Sequence, residues 1–507
     1  MLKRRISWVI IIALFTTVLT AALPSTASAA VDYSSIINAE SSFITSCVLP
    51  SGAIIMGKDV IYTFQGTNHY KISPYFSNFA ALALLENPTD SNKIIVKNWM
   101  KWYFDHLNLG VAGAVDGSVF DYFADNLTGG TEHRSIDAFA TEDIPNYDST
   151  DSYASTFLTL ARKYIEVTGD NSFLLNNSYQ IELIGNSIEA TMQPDGLTVC
   201  KPDYPIEYTM DNCEVNEGLK DMVWLKTNVY NDALAASYYQ TLLDKNTKGI
   251  ENSLWNASAD CYDSSLNTPS DWNVFYADAT CQLYPVWTGV KLPTDQQSVN
   301  LYTKFNQKYP NWSTGTIYDE GGYPWAIVCY VAAVMGDTAR VDQYLTFVKS
   351  KIDAGIHPDY WYNMEAAFTL LAAKKISSAP AVNLAVNRTA TASYTGVSPA
   401  LAVDGSNSTR WSSGVKDNEW WKVDLGSVKS VGRIVINWEA AYDTQYSVQV
   451  STDNKTFTTV YSTITGDGGT DTITFPAKNA RYVKLLCTKR VNSSWGSSFW
   501  EFEVYNN

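Results

Sequence analysis

Several segments of the chain set carboxylates beside aromatic rings. They are Tyr147-Asp148-Ser149-Thr150-Asp151-Ser152-Tyr153, the run from Tyr208 through Asp211 and Glu214 to Glu217, Tyr276-Ala277-Asp278, Tyr318-Asp319-Glu320-Gly321-Gly322-Tyr323, and His357-Pro358-Asp359-Tyr360-Trp361-Tyr362. Cleaving a glycosidic bond needs two carboxyl groups flanking it. One is protonated and donates to the leaving oxygen; the other is ionised and activates water or attacks the sugar. Clustered acids push their pKa values apart by mutual repulsion. Flat rings stack on the C–H faces of sugars while phenol and indole edges hydrogen-bond hydroxyls. The candidate catalytic acids are therefore Asp148, Asp151, Asp211, Glu214, Glu217 and Asp319, with Tyr147, Tyr153, Tyr318, Trp325 and Trp361 as substrate-binding rings. Acids at helix starts also serve as ordinary caps. One cap suffices per helix, so the Asp211–Glu217 run is the least explained by capping.

These segments must be brought together by helices. Up to residue 376 the periodicity predicts helical segments starting near 33, 74, 91, 149, 171, 214, 227, 277, 296, 322, 337 and 359. Some are amphipathic, such as Ser91–Leu107 and Asp342–Ile352, and face solvent. Others are apolar all round, such as Phe76–Leu85, Tyr153–Leu160, Ala277–Val286 and Tyr323–Ala333, and should be buried. Their rough alternation predicts a double ring of antiparallel hairpins, with the acid-bearing starts meeting at one rim. An internal echo supports repetition: Tyr164 to Gly169-Asp170 and Tyr330 to Gly336-Asp337 each end a buried helix with a left-handed Gly cap and an Asp that caps the next.

The run from Asp151-Ser-Tyr-Ala-Ser-Thr-Phe-Leu to Val167-Thr168-Gly169-Asp170, with the hairpin rhythm, resembles the six-hairpin glycosidase superfamily over residues 31–375. That resemblance implies an (α/α)6 toroid. In its glucoamylase-like branch the general acid follows the third outer helix, which implies Asp211, Glu214 or Glu217. The base precedes the last inner helix, near Asp359 or Glu365. The fuller pattern around that acid is missing here. The same toroid hosts uronic-acid hydrolases, phosphorylases and polysaccharide lyases. A lyase needs a base, often Tyr or His, and a neutraliser for the uronate; His69, His106, His133, His357 and Arg134 are available. An acidic rim repels a polyanion, which ranks lyase second.

The rest of the chain fits export. Lys3, Arg4 and Arg5 precede an apolar run from Val9 to Leu19, and Ala27-Ser28-Ala29 follows, the pattern of a signal peptide cleaved near residues 29–30. The formal net charge of −16 argues against nucleic acid as a partner. No later run is long and apolar enough to insert in a membrane. The sequence leaves the oligomeric state open. The 7 cysteines are too sparse for a disulfide scaffold. Cys200 and Cys213 flank a polar loop and could pair; the favoured reading is small buried residues.

Composition changes at a linker, 376–382, and residues 383–507 read as short alternating strands, a β-sandwich. This stretch carries Ala402-Val-Asp404-Gly405-Ser-Asn407-Ser-Thr409-Arg410-Trp411, Trp420-Trp421-Lys-Val-Asp424-Leu425-Gly426, Tyr446 to Asp453, Arg481 to Leu485, and Trp500-Glu501-Phe502-Glu503-Val504-Tyr505. It closely resembles the discoidin, or F5/8 type C, fold and the family 32 carbohydrate-binding modules. The resemblance implies a jelly roll and a structural Ca²⁺, held by Asp404, Asn407 and Thr409 with Glu503 completing the site; hard oxygens on a Gly turn suit that ion. The other reading of the turn is an Asx-turn without metal. Ligand would meet loops at one end, with Trp438, Glu439, Tyr442, Arg490, Asn492 and Trp495 as candidates and Trp495 as the stacking platform. Trp411, Trp420 and Trp421 are expected in the core. The reading is an α-then-β, two-domain secreted enzyme, a glycoside hydrolase acting on a polysaccharide and targeted by a sugar-binding module. The alternatives are a polysaccharide lyase and a non-catalytic glycan-binding or adhesion protein.

Overall fold

A computed structural model describes residues 31–64, 66–135, 147–378 and 382–506. The expected signal peptide and residues 379–381 of the expected linker lie outside these. The chain divides into two compact units, Val31–Ala379 and Pro380–Asn507.

The first unit is helical. Its longer helices are α1 (Tyr33–Ser46), α2 (Pro74–Glu86), α3 (Asp90–Asp105), α4 (Thr150–Thr168), α5 (Asn171–Asn176), α6 (Ser178–Thr191), α7 (Thr209–Asn228) and α8 (Ala233–Gly249). They are followed by the short α9 (Tyr284–Trp287), then α10 (Gln296–Lys308), α11 (Ile327–Val334), α12 (Thr338–Asp353) and α13 (Asn363–Ser378). Burial separates two kinds. Every residue of α13 from Asn363 to Ala373 is buried, whereas α12 buries only Val341, Tyr344, Leu345 and Val348 along one stripe. The first pattern belongs to a helix surrounded by protein, the second to one with a solvent face. The inner helices contact each other in turn: α2 packs on α4, α4 on α7, α7 on α9, α9 on α11, α11 on α13, and α13 on α2. Around them, α1 lies on α13 and α2, α3 on α2 and α4, α6 on α4 and α7, α8 on α7, and α12 on α11 and α13. The inner contacts are tight. A Cβ on Gly218 of α7 would sit 2.6 Å from the Ser155 Cα of α4, so glycine lets these two backbones touch.

Helix boundaries follow local chemistry. Gly169 and Gly336 are left-handed, and the Asp170 and Asp337 carboxylates accept from Phe173 N and Arg340 N to cap the helices that follow. Two expected helices are broken by proline. Ala277–Val286 is instead a turn over Phe275–Ala279 and then α9, which starts at Tyr284-Pro285. Tyr323–Ala333 shortens to α11, because Pro324 disfavours helical backbone at Tyr323 and Trp325 adopts positive φ. The last helix, expected from about 359, starts at Asn363 and runs on to Ser378, past the start of the expected linker. A small antiparallel sheet, unforeseen from the sequence, joins β1 (Ile61–Phe64), β2 (Thr67–Ile72), β3 (Tyr122–Ala124) and β4 (Glu132–Arg134). Two-residue strands β5 (Trp255–Asn256) and β6 (Cys261–Tyr262) pair separately.

The second unit is an antiparallel β-sandwich. Its strands are β7 (Thr389–Ala392), β8 (Trp411–Ser412), β9 (Glu419–Trp438), β10 (Asp443–Ser451), β11 (Thr458–Thr463), β12 (Thr470–Arg490) and β13 (Ser498–Tyr505), ordered β11-β10-β12-β9-β13-β8 with β7 on β9. Residues 419–425 of β9 alternate buried and half-buried, as one core face requires. Bulges between Thr474 and Lys478 and between Ala480 and Tyr482 bend the long β12–β9 ladder. Trp411, Trp421, Val423, Ile436, Leu485, Phe499 and Phe502 fill the core. Trp420, expected there too, is half-buried because it sits one residue out of phase with Trp421.

All seven cysteines are free and buried, so Cys200 and Cys213 are unbonded. Among the described residues no helix is long and apolar enough to cross a membrane.

Candidate active site

The N-termini of inner helices open on one cavity of about 280 Å³. The first turn of α2 contributes Tyr75, the lead-in to α4 gives Asp148 and its first turn Ser152 and Tyr153, and the first turns of α7 give Asp211 and Glu214. Tyr276, Tyr284 and Trp325 line the same space, as do Lys71 from β2 and Asp121 just before β3.

The acids differ in depth. Glu214 and Asp121 are buried, Asp211 is half-buried and Asp148 is exposed at the mouth. The Tyr75 hydroxyl donates to Glu214 Oε1 at 2.5 Å. Burial pushes the Glu214 carboxyl up to about 8, with neighbouring Asp151 and Asp148 adding to the rise. Asp211 is also held well above the usual carboxylate range, first by burial and then by repulsion from Asp151, Glu214 and Asp148. Asp148 is raised by burial and by Asp121, against which Lys71 and Lys201 pull it down. Asp121 takes a 2.8 Å ion pair from Lys71 and a 3.0 Å hydrogen bond from the Tyr153 hydroxyl. The mouth is aromatic: Tyr276 and Trp325 stack with ring centroids 4.1 Å apart and planes 21° from parallel. Such a set places a protonated carboxyl on the floor, an exposed acid at the rim and flat rings beside both.

The other candidates are elsewhere. Asp151 is fully buried behind the cavity wall; its Oδ1 accepts from Ser149 Oγ at 2.5 Å and Ser152 N at 2.9 Å, and its Oδ2 from Thr198 Oγ1 at 2.6 Å. It is a structural anchor for the start of α4. Glu217 lines a separate, smaller chamber behind Glu214. Asp319 accepts from Tyr323 N at 3.3 Å within its own loop and does not line the cavity. Tyr147 is buried, accepting from Thr150 Oγ1 and packed on Phe120, and Tyr318 packs on Phe275 and Tyr309. Trp361 is buried with its indole donating to Glu40 Oε2 at 3.1 Å. Glu365 is buried and accepts from Ala326 N at 2.6 Å, away from the cavity, and Asp359 is exposed. Among the described residues no His or Arg lines the cavity: His69 and His133 both approach Asp125, at 3.3 and 2.9 Å, on the small sheet. Lys71 and Asp121 were missed from the sequence. Asp121-Tyr122 has the same acid–aromatic signature as the other segments, but it leads into a strand rather than a helix.

These buried acids predict a pH dependence of folding. Burial raises Glu40 to about 8, Glu214 to about 8 and Glu365 to about 7. The folded state therefore keeps protons that the unfolded chain has released, and stability falls as pH rises from about 4.5 through about 8. His357, lowered by burial, opposes this only below its ordinary 6.5. Carboxylates lowered in the fold, such as Asp170, are ionised in both states across this window and leave the trend alone. Calorimetry should find the helical unit melting several degrees higher at about pH 5.5 than at about pH 8.5.

In the second unit Trp495 is 48% exposed, on a loop whose carbonyls at Ser493 and Trp495 accept from Arg490 Nη1. Arg490 is also tied to Asp417 at 2.8 Å. Tyr442 is half-buried against Gly468, and Trp438 is buried with its indole on Asp471. At the expected cation turn, Asp404 Oδ1 accepts from Ser406 N and Thr409 Oγ1, both at 2.9 Å. Asn407 is exposed. Glu503 does not reach this turn; it accepts from the Tyr505 hydroxyl. Glu501, one pleat repeat earlier on β13, does, its Oε1 accepting from Gly405 N and Ser406 N. Glu501 Oε2 is buried without a hydrogen-bond partner, and burial beside Asp404 raises the carboxyl to about 7. The Asp404 carboxylate and Thr409 hydroxyl of the turn, with the Glu501 carboxyl reaching it from β13, fit a hard cation, although no cluster of three or more His, Cys, Asp or Glu fit to hold a metal occurs among the described residues.

Comparisons with known proteins each match part of the chain. Residues 401–485 match the family model described as NedA-like, galactose-binding domain, of the F5/8 type C group. Two crystal structures of chitosan-binding modules from a chitosanase/glucanase of Paenibacillus sp. IK-5 are similar. Module 1 is 50% identical, covering 24% of this chain and 98% of that one with a TM-score of 0.24. Module 2, in complex with chitotriose, is 46% identical, covering 24% and 99% with a TM-score of 0.24. A polysaccharide lyase 8 family protein of Enterococcus faecalis is 32% identical over 111 residues, which are 20% of this chain and 8% of that protein. Within the second unit, residues 401–485 thus match an F5/8 type C domain.

Proposed function

We propose that the chain is a secreted glycoside hydrolase whose helical unit cleaves a polysaccharide and whose second unit holds it on that substrate. The observation that carries this reading is the meeting of Asp148, Asp211 and Glu214 with Tyr276 and Trp325 in one cavity. Glu214 is the general acid, kept protonated by burial and oriented by Tyr75. Asp148 is the base, at the mouth where water has access. The inner helices, each packed on the next and the last on the first, support an (α/α)6 toroid. The basic-then-apolar leader at 1–30 supports export.

A lyase reading has the similarity to a polysaccharide lyase in its favour, and Lys71 with several tyrosines in the cavity. Lys71 is spent on Asp121, and the remaining acids would repel a uronate. The test is incubation of the full chain with chitosan, a β-glucan, a galactan and polygalacturonate, reading reducing ends and ultraviolet absorbance. Hydrolysis gives reducing ends alone; an absorbing unsaturated product would make it a lyase, and binding without cleavage would make it a lectin.

In the module, Trp495 is the stacking platform for the sugar. Affinity electrophoresis on gels containing each polymer should show Trp495→Ala binding about tenfold more weakly, the worth of one ring on a sugar face. Tethering raises the effective substrate concentration at the cavity, so the same variant should lose turnover on insoluble polymer but not on short oligosaccharides. A Ca²⁺ at Asp404, Thr409 and Glu501 would supply structural charge compensation, and added chelator should then lower the module's melting temperature.

A further inference from the structure

Behind Glu214 lies a second chamber of about 30 Å³, bounded by α2, α4, α7, α9, α11 and α13. That is room for a water molecule. Its polar wall is specific. Glu214 and Glu217 both line it, three residues apart on α7 and so on one face of that helix. Trp287 lines it too, and the Trp287 Nε1 is buried without a hydrogen-bond partner in the protein. Of the other polar liners, Asn78 donates to Tyr153 O and Thr156 Oγ1 and accepts from Trp99, Thr156 donates to Ser152 O, Thr159 donates to Ser155 O, and Tyr330 adds a phenol to the wall. A buried indole N–H without a partner and two carboxyl-bearing side chains around one water-sized space supply the three partners a water requires.

We propose that this chamber holds a buried water bridging Trp287, Glu217 and Glu214, and that Glu217, acting through it, is a positioning residue for the Glu214 carboxyl. The water accepts from the Trp287 N–H and from a protonated Glu217, and donates to Glu214. This rests on the reading of Glu214 as proton donor, because the bond gains strength when Glu214 becomes an anion after giving up its proton. The surroundings favour the neutral form of Glu217. On its own helix it faces Glu214, Lys220 and Asp221. From α4 it meets Arg162, which is held by Asp221 at 2.7 Å and Glu166 at 2.9 Å. From α11 it meets Tyr330, and beyond that Glu86 of α2, which is ion-paired with Lys163. The liners from α13 are apolar, Phe368 and Leu371. Burial and the carboxylates around it hold Glu217 well above the usual carboxylate range.

The experiment is a carboxyl titration of Glu214 by infrared difference spectroscopy on the full-length protein without substrate, each spectrum assigned by subtracting that of the matching Glu214→Gln variant. Glu217→Met removes the donor and should raise the Glu214 midpoint by about one unit, since its anion loses a hydrogen bond. Glu217→Gln keeps a donor and should restore the wild-type midpoint. Trp287→Phe removes the other partner without touching a carboxyl, and should move the midpoint in the same direction as Glu217→Met. Unmoved midpoints in Glu217→Met and Trp287→Phe would overturn the proposal, as would a Glu217→Gln shift equal to that of Glu217→Met. Because no substrate is used, these outcomes stand apart from the hydrolase assay. Where turnover is measured, the alkaline limb of the pH profile should follow the same shift with KM unchanged.

Discussion

Glu214→Gln should lower turnover on a polysaccharide by about 10³-fold while leaving the fold and KM nearly intact. A positioned general acid is worth 10²–10⁴ in rate, and the amide keeps the size and can still meet the Tyr75 hydroxyl, whose 2.5 Å contact orients the wild-type carboxyl. The loss should depend on the leaving group. An aryl glycoside with an acidic phenol needs little protonation, so its glycone–phenol bond should be cleaved by the variant at a rate much nearer wild type. The pH profile gives a second signature. With the acid held at about 8 by burial, wild-type activity falls on the alkaline side near that value, and the variant loses that limb. Equal losses on both substrate types would remove Glu214 from the acid role.

The line between what the sequence discloses and what it hides runs through particular residues. Acid–aromatic segments before apolar helices were readable because helix periodicity and capping chemistry are local. Once each inner helix packs on its neighbour, their starts meet at one mouth, and Asp148, Asp211 and Glu214 meet there with them. Local signals could not separate Asp148 from Asp151. Three residues apart, the two differ only in which way they face, and Asp151 is consumed by Ser149, Ser152 and Thr198, the last from a distant loop. The same holds for Asp121, whose role depends on Lys71 reaching it across the small sheet. In the module, the alternation of β9 and β13 exposed the sandwich. Choosing Glu503 over Glu501 at the turn was a register error of one pleat repeat, fixed only by where β13 lies against Gly405.

Asp148→Asn should be the other severe lesion, with a loss of about 10³-fold in turnover that a small anion such as azide partly restores. Two acids at the mouth compete for the role of base. Asp211 is held well above the usual range by burial and by three surrounding carboxylates, which disfavours the ionised form that a base needs. Asp148 is raised too, by crowding in the cavity wall and by Asp121, but Lys71 and Lys201 oppose that rise and the residue reaches water at the mouth. Asp211→Asn should therefore cost far less than Asp148→Asn, and azide should do nothing for it. The configuration of the glycosyl azide formed by Asp148→Asn then reports how the wild-type carboxylate acts. A retained-configuration substrate analysis with an inverted azide would mark it as the nucleophile that azide replaces, whereas wild-type inversion would mark it as the base that activates water. If Asp211→Asn were instead the variant rescued by azide, the ionised acid would be Asp211, on the same helix as Glu214, and the roles of Asp148 and Asp211 would be reversed.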